Sequence, residues 1–221
     1  MKRGPKPKGK IKIEWSPDFA YAIGLIVTDG CLYNDRRHMS FVSQDMELVL
    51  MFKKILNLEA KIGLKRSKKN NKRTTPHIQF GDVLFYKFLE GIGLTPAKSL
   101  TIRKIYIPEE LFFDFLRGCF DGDGSSYSYW DPRWKSSFMY YTSFASGSML
   151  FLDWLRKEIF RRIGIKGHLT KAKRKSASQL KYAKKESLVL YRNMYYKGVS
   201  SYLIRKKLKI DNALAIVGER I

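Results

Sequence analysis

The sequence predicts an α+β fold built from two tandem copies of one αββαββα unit. Three observations carry this prediction. A glycine inside a helical pattern and an Asp-Gly pair at its end occur twice in register: Gly24 and Asp29-Gly30 return 94 positions later as Gly118 and Asp123-Gly124. Helical and strand-like patterns follow each copy in the same order. The chain has 221 residues, 44% hydrophobic and 14% aromatic, enough to bury a core and too apolar for a disordered chain.

The charge narrows the function. Lys and Arg number 43 against 20 Asp and Glu, a formal net charge of +23. Interleaved with Tyr, Phe and Trp, that excess points to a polyanion, with nucleic acid first and an anionic membrane surface second. No apolar run reaches the roughly 18 residues of a membrane span. No basic amphipathic helix with exposed aromatics favours a membrane surface. The N-terminus lacks the apolar segment of a secretory signal. Cys31 and Cys119 make neither a disulfide framework nor a four-ligand zinc site. Both read as buried free thiols, which fits a reducing cytoplasmic setting, or an organellar matrix. His38, His77 and His168 have no zinc-ligand spacing, and no Gly-rich phosphate loop follows a strand.

Residues 1–13 are basic, Gly- and Pro-containing and without hydrophobic period. They read as a flexible arm, either a solvated tail or a segment placing Arg3, Lys6, Lys8 and Lys10 on phosphates or in a minor groove. The first unit is assigned to 14–94. Ser16-Pro17 starts a helix as N-cap and first-turn proline, and the helix runs to Asp29-Gly30. Strands Cys31–Tyr33 and His38–Gln44 follow. Asp45 caps a helix Met46–Leu56, with Met46, Val49, Leu50, Phe52, Ile55 and Leu56 at helical spacing. A basic strand Lys61–Lys69, an Asn70-Asn71 turn, a strand His77–Phe80 and a helix Asp82–Glu90 complete the unit. Residues 95–107 read as the linker. The second unit, 108–217, repeats the order: a helix ending at Asp123-Gly124, strands, a helix Met149–Ile163, a basic strand His168–Lys175, a strand Leu188–Arg192 and a helix Val199–Leu208. The segment Tyr127–Lys135, with Trp130 and Trp134, has no counterpart in the first unit. It is either a DNA-contacting loop or a shield for the core.

A mid-helix Gly costs about 1 kcal/mol relative to Ala, so two in register need a reason. Residues 20, 24 and 28, and 114, 118 and 122, form i, i+4 rows with small side chains at five of six positions. Such rows let two helices approach closer than the usual roughly 8–10 Å. Packed in parallel, they bring Asp29 and Asp123 together at one end. Two close carboxylates repel unless a proton or a cation lies between them. Mg²⁺, with one or two carboxylates, water and a substrate phosphate, suits the site. A basic protein with paired acids on its symmetry axis suggests metal-assisted phosphodiester hydrolysis.

Ala22-Ile23-Gly24-Leu25-Ile26-Val27-Thr28-Asp29-Gly30 and Leu116-Arg117-Gly118-Cys119-Phe120-Asp121-Gly122-Asp123-Gly124 resemble the two signature helices of the LAGLIDADG homing endonucleases. Two copies on one chain resemble the monomeric branch. The resemblance implies two saddle-shaped antiparallel sheets in the DNA major groove and a long asymmetric target in double-stranded DNA. It also implies Mg²⁺-dependent cleavage of both strands across the minor groove, with Mn²⁺ or Ca²⁺ able to replace Mg²⁺ for binding. Asp29 and Asp123 are implied as catalytic, metal-binding acids. Asp121, which is Val27 in the first copy, reads as a helix-end hydrogen-bonding residue. Gln44 is implied as an auxiliary residue near the catalytic water, with Ser146 or Gly147 in its place in the second half. Lys98 is implied as the basic residue completing the site. Asn212 aligns with it in the second half, with Lys209 near.

A groove-facing sheet needs polar and basic residues on one face. The candidates are His38, Ser40 and Gln44, then Lys61, Lys65 and Lys69, His77 and Gln79, and in the second half Lys171, Lys173 and Arg192. Such side chains read purine edges or bind phosphates. Other readings on the same fold are a non-catalytic DNA-binding regulator and an RNA-binding intron maturase.

Overall fold

A computed structural model describes residues 9–66, 74–171, 177–216 and 218. The first half contains α1 (Pro17–Asp29), β1 (Gly30–Leu32), β2 (His38–Val42), α2 (Met46–Ile55), β3 (Ile62–Arg66), β4 (Thr74–Gly81) and α3 (Val83–Gly91). A short helix α4 (Lys98–Thr101) lies in the linker, and a 3-10 turn (Glu109–Leu111) precedes the second half. That half contains α5 (Phe112–Asp123), β5 (Gly124–Trp130), β6 (Phe138–Ser146), α6 (Met149–Ile163), β7 (His168–Thr170), β8 (Ser178–Ala183), α7 (Lys184–Met194) and α8 (Ile204–Ala215). The sheets share one antiparallel topology, β1-β2-β4-β3 and β5-β6-β8-β7. Gly30 pairs with Phe41 and Gly124 with Phe144, so the duplication extends to register. Among the described residues no helix is long and apolar enough to cross a membrane.

Helix α1 starts where Ser16 Oγ accepts the Phe19 N–H at 3.2 Å. Phe19 to Val27 are all buried, because one side of the helix meets its own sheet and the other meets α5. A Cβ on Gly24 would stand 2.2 Å from the Phe115 carbonyl oxygen. One on Gly118 would stand 2.1 Å from the Tyr21 carbonyl oxygen, and one on Gly122 would meet Thr28 Oγ1. Contacts advance along both helices together, so the helices are parallel and their backbones touch, as the small-residue rows predict. The Asp-Gly ends are not left-handed caps. Gly30 (φ −80°) and Gly124 (φ −78°) are extended and open β1 and β5 directly. Their glycines are needed because a Cβ would lie 2.6 Å from the carbonyl oxygen of Ile26 or Phe120.

Several expected elements shift. Leu188–Arg192 is helical, within α7, because Ser187, Leu188, Leu190, Tyr191 and Met194 are buried at helical spacing. The strand lies earlier, in β8, where Ser178, Leu180 and Tyr182 are buried in alternation. The last helix begins at Ile204 rather than Val199. Residues 199–203 stay irregular because their backbone serves the core: Ser201 O accepts from Arg117 Nε, and Leu203 N–H donates to Asp121. Met46 and Leu50 are exposed, and α2 buries Leu48 beside the expected Val49 and Phe52. Asp45 stands at the start of α2 without capping it, because its carboxylate binds Arg205 of α8 through two 2.6 Å bonds. Cys119 is buried as expected, whereas Cys31 is exposed on β1. The arm is tied down at its inner end. Lys10 and Ile11 donate backbone N–H groups to Asp82 Oδ2, and Ile11 is buried. Arg3, Lys6 and Lys8 lie outside the described residues.

Candidate active site and nucleic-acid interface

The parallel helices bring the two repeated aspartates together. Asp29 Oδ2 lies 2.8 Å from where a Cβ on Gly122 would be, so its carboxylate rests against the partner helix one residue before Asp123. Burial, then the nearby charge of Asp123, pushes the Asp29 carboxyl up to about 6. Burial also raises Asp123, with Lys98 and Lys206 opposing it. Both groups therefore take their negative charge against the resistance of a partly dry site.

A lysine serves the end of each motif helix. Lys98 at the start of α4 is buried, and its Nζ lies 3.4 Å from the Thr28 carbonyl oxygen. It lines a cavity of about 70 Å³ together with Thr28, Asp123, Ser146 and Gly147, room for about two waters. Lys206 on α8 donates to the carbonyls of Phe120 (2.7 Å), Asp121 (2.8 Å), Gly122 (3.1 Å) and Gly124 (2.7 Å). Thr28 and Gly122 correspond in the repeat, so Lys206, not Asn212 or Lys209, is the counterpart of Lys98. Burial pushes Lys206 down to about 8, with the charge of Asp121 opposing. Its ammonium completes the unsatisfied carbonyls of a helix terminus.

Asp121 has the helix-end role read from its position. It accepts from Tyr21 Oη and from the Leu203 N–H, each at 2.7 Å, and burial pushes it up to about 6. Arg117 joins this buried group by binding Asp114, Met194 O and Ser201 O. Together they fix the segment that delivers Lys206. Gln44 is exposed just past β2. By strand register its counterpart is Gly147, where a Cβ would stand 2.6 Å from the Ser99 carbonyl oxygen. The two halves of the site are unequal at this position. Among the described residues no group of three or more His, Cys, Asp or Glu converges, so protein side chains supply the site with two carboxylates.

Each sheet turns one face to the helices and leaves the other open. On the first sheet, Ser40 pairs with Gln79, Val42 with His77, and His38 with Gly81, which puts the predicted polar residues on the open side. His38 Nδ1 lies 2.5 Å from Asp35 Oδ2, and the His77 ring crosses Gly63. Lys61 and Lys65 are exposed at β3, Gln79 is exposed, and Ser40 is largely covered. Lys171 is exposed after β7. Lys69 and Lys173 lie outside the described residues. Arg192 belongs to α7, behind the sheet, and not to the open face.

Solved structures match this architecture over nearly the whole chain. The homing endonuclease I-WcaI, bound to its DNA recognition sequence, is 15% identical with a TM-score of 0.64, covering 95% of each chain. The chain has the LAGLIDADG fold. The meganuclease I-SmaMI, bound to uncleaveable DNA, matches this chain at 12% identity and TM-score 0.60, over 93% of this chain and 91% of that one. Full-length DUF199/WhiA from Thermatoga maritima matches at 18% identity and TM-score 0.57, over 95% of this chain, which spans 64% of that one. The LAGLIDADG fold is thus common to endonucleases and to WhiA, and the chemistry has to be argued from the site. No family model and no curated protein matches the chain.

Proposed function

We propose that the protein is a site-specific endonuclease that cuts both strands of duplex DNA with a divalent metal. The observation that carries this reading is the meeting of Asp29 and Asp123 at the end of two touching helices, each carboxyl raised by burial. The donor set fits a hard cation: two carboxylates, Asp123 close enough to raise Asp29, beside a cavity open to small ligands. Asp29 and Asp123 would hold Mg²⁺, or Mn²⁺ in its place, with Ca²⁺ supporting binding. Such an ion supplies polarisation of a phosphoryl oxygen and an acidified water. Lys98 and Lys206 place positive charge at the two helix ends, where a phosphate passing between the half-sites gathers charge. The exposed Gln44 amide is free to orient a water on the first-half side, a role that Gly147 cannot share. The open sheet faces would follow the major groove of a long asymmetric target, engaged by one monomer. Its setting as a free-standing, intron- or intein-associated enzyme belongs to the same reading.

The test is incubation with a randomised duplex library and Mg²⁺, followed by sequencing of cut ends. The expected result is paired cuts at one sequence, lost on chelation and in Asp29→Asn or Asp123→Asn, with duplex binding largely kept. Selective binding without cutting would support the regulator reading. Full cutting by either variant would refute the role given to these residues.

A further inference from the structure

The open faces of the two sheets are chemically different. The first carries hydrogen-bonding groups, Gln79, His38, His77 and Lys65, along β2, β4 and β3. The second carries Tyr127 and Tyr129 on β5 and Tyr141 on β6, while its hydrogen-bonding groups, Lys181, Gln179, His168 and Thr170, lie on the far side, on β8 and β7. Strand β5 has seven residues where β1 has three, and the added length presents these tyrosines. Tyr127 and Tyr129 are 36% and 44% exposed. Both lie nearly parallel to Tyr141, with centroids at 5.2 Å and 6.3 Å, and Lys181 Nζ stands 6.0 Å over the Tyr127 ring.

This arrangement limits what the face can bind. Tyr141 stacks against both neighbours and Lys181 stands over Tyr127, so most of the ring faces are already engaged and little platform is left for an unstacked base. What remains outward is a row of ring edges and hydroxyls. Ser125 and Ser143, next along the face, use their hydroxyls on each other at 2.8 Å. Paired donors for a purine edge are therefore scarce on the β5–β6 side of the face, while apolar area is plentiful there. Among the described residues the strands of this face contribute no carboxylate to it, and Lys181 keeps it cationic, so the partner is a polyanion with apolar groups on its surface. In the major groove the apolar group is the C5-methyl of thymine.

Resting on the endonuclease reading, we infer that the β5–β6 side of the second half reads its part of the half-site through thymine methyl groups packed on Tyr127, Tyr129 and Tyr141, a mode of reading that the first half lacks. The experiment takes duplexes recovered from the randomised library and rebuilds them with deoxyuridine for thymidine in one half at a time, which removes only the methyl. Binding is measured for the native protein and for Tyr127→Ser/Tyr129→Ser. Uracil in one half is expected to weaken native binding about fourfold per contacted thymine, the equivalent of one buried methyl. The same replacement should change the variant's binding by less than twofold. Uracil tolerated in both halves, or an equal loss in the variant, would overturn the inference while leaving the endonuclease reading intact. Failure to bind any duplex would reject both. The two tyrosines are exposed, and an unchanged melting temperature confirms that the variant is folded.

Discussion

At the scale of single residues, the raised carboxyls make a measurable prediction. Asp29 moves from 3.8 to about 6 in the folded chain, chiefly through burial and then the charge of Asp123. A carboxyl with a folded-state pKa above its unfolded one binds its proton more tightly when folded. Its contribution therefore opposes folding as pH rises from about 4 to about 6, and does so fully above that. A divalent ion relieves the same opposition. Mg²⁺ should accordingly raise the melting temperature more at about pH 7.5 than at about pH 5, where the proton already occupies Asp29. At ten times its Kd a ligand adds about 1.4 kcal/mol, or about 3–5 °C for a chain of this length. Equal shifts at both pH values in a calorimetric scan would contradict the site. Asp29 and Asp123 were legible in the sequence because they recur at one offset. Lys206 was not, because it lies 108 positions beyond Lys98 rather than 94. The longer β5–β6 hairpin and the irregular 199–203 segment change the spacing, and a lysine bonded to four carbonyls looks like any other in a Lys-rich helix.

At the scale of elements, the α1–α5 contact is the most exacting. Even one added methyl at Gly118 would sit 2.1 Å from the Tyr21 carbonyl oxygen, and backbone cannot rotate away as a side chain can. Gly118→Ala should lose about 1–3 kcal/mol and lower the melting temperature by several degrees. Cleavage should fall further than stability, since a shift of about 1 Å between Asp29 and Asp123 costs on the order of 100-fold in rate. Gly91→Ala is the matched control: nothing lies within 4 Å of its Cβ, so it should be neutral. Similar melting curves for the two variants would show that the helices have room to spare. This contact could be read from sequence because small residues at i, i+4 have few other reasons to recur. The β8–α7 boundary could not. Leu188 to Tyr191 is an apolar run that suits either a strand or a helix, and the true strand alternates Leu180 and Tyr182 with polar neighbours in a Lys-rich stretch.

At the scale of the whole molecule, each half closes on the other through its C-terminal tail. Ser148 Oγ donates to the Ile102 carbonyl that follows α4, Arg205 of α8 binds Asp45, and Ser200 and Ser201 bind Asp18. These links and the touching helices set the two open faces in one fixed relation. The net charge of +23 then has a quantitative consequence. Each phosphate neutralised releases condensed counterions, and log affinity falls against log salt by about 0.9 per phosphate. If the exposed lysines beside the sheets face DNA, 6–10 contacts would weaken binding about 10³–10⁵-fold between about 50 and 200 mM salt. Lys65 tests the assignment locally. It is exposed on β3 and pairs across to Thr75, so Lys65→Gln leaves the core untouched. On a phosphate, its loss should reduce the salt slope by about 0.9 and weaken all sequences alike. On a base edge, its loss should leave the slope almost unchanged and relax the preference at one position of the recovered site. A variant with native slope and native preference would place Lys65 off the DNA, and the open face of the first sheet would then not be the surface that follows the groove.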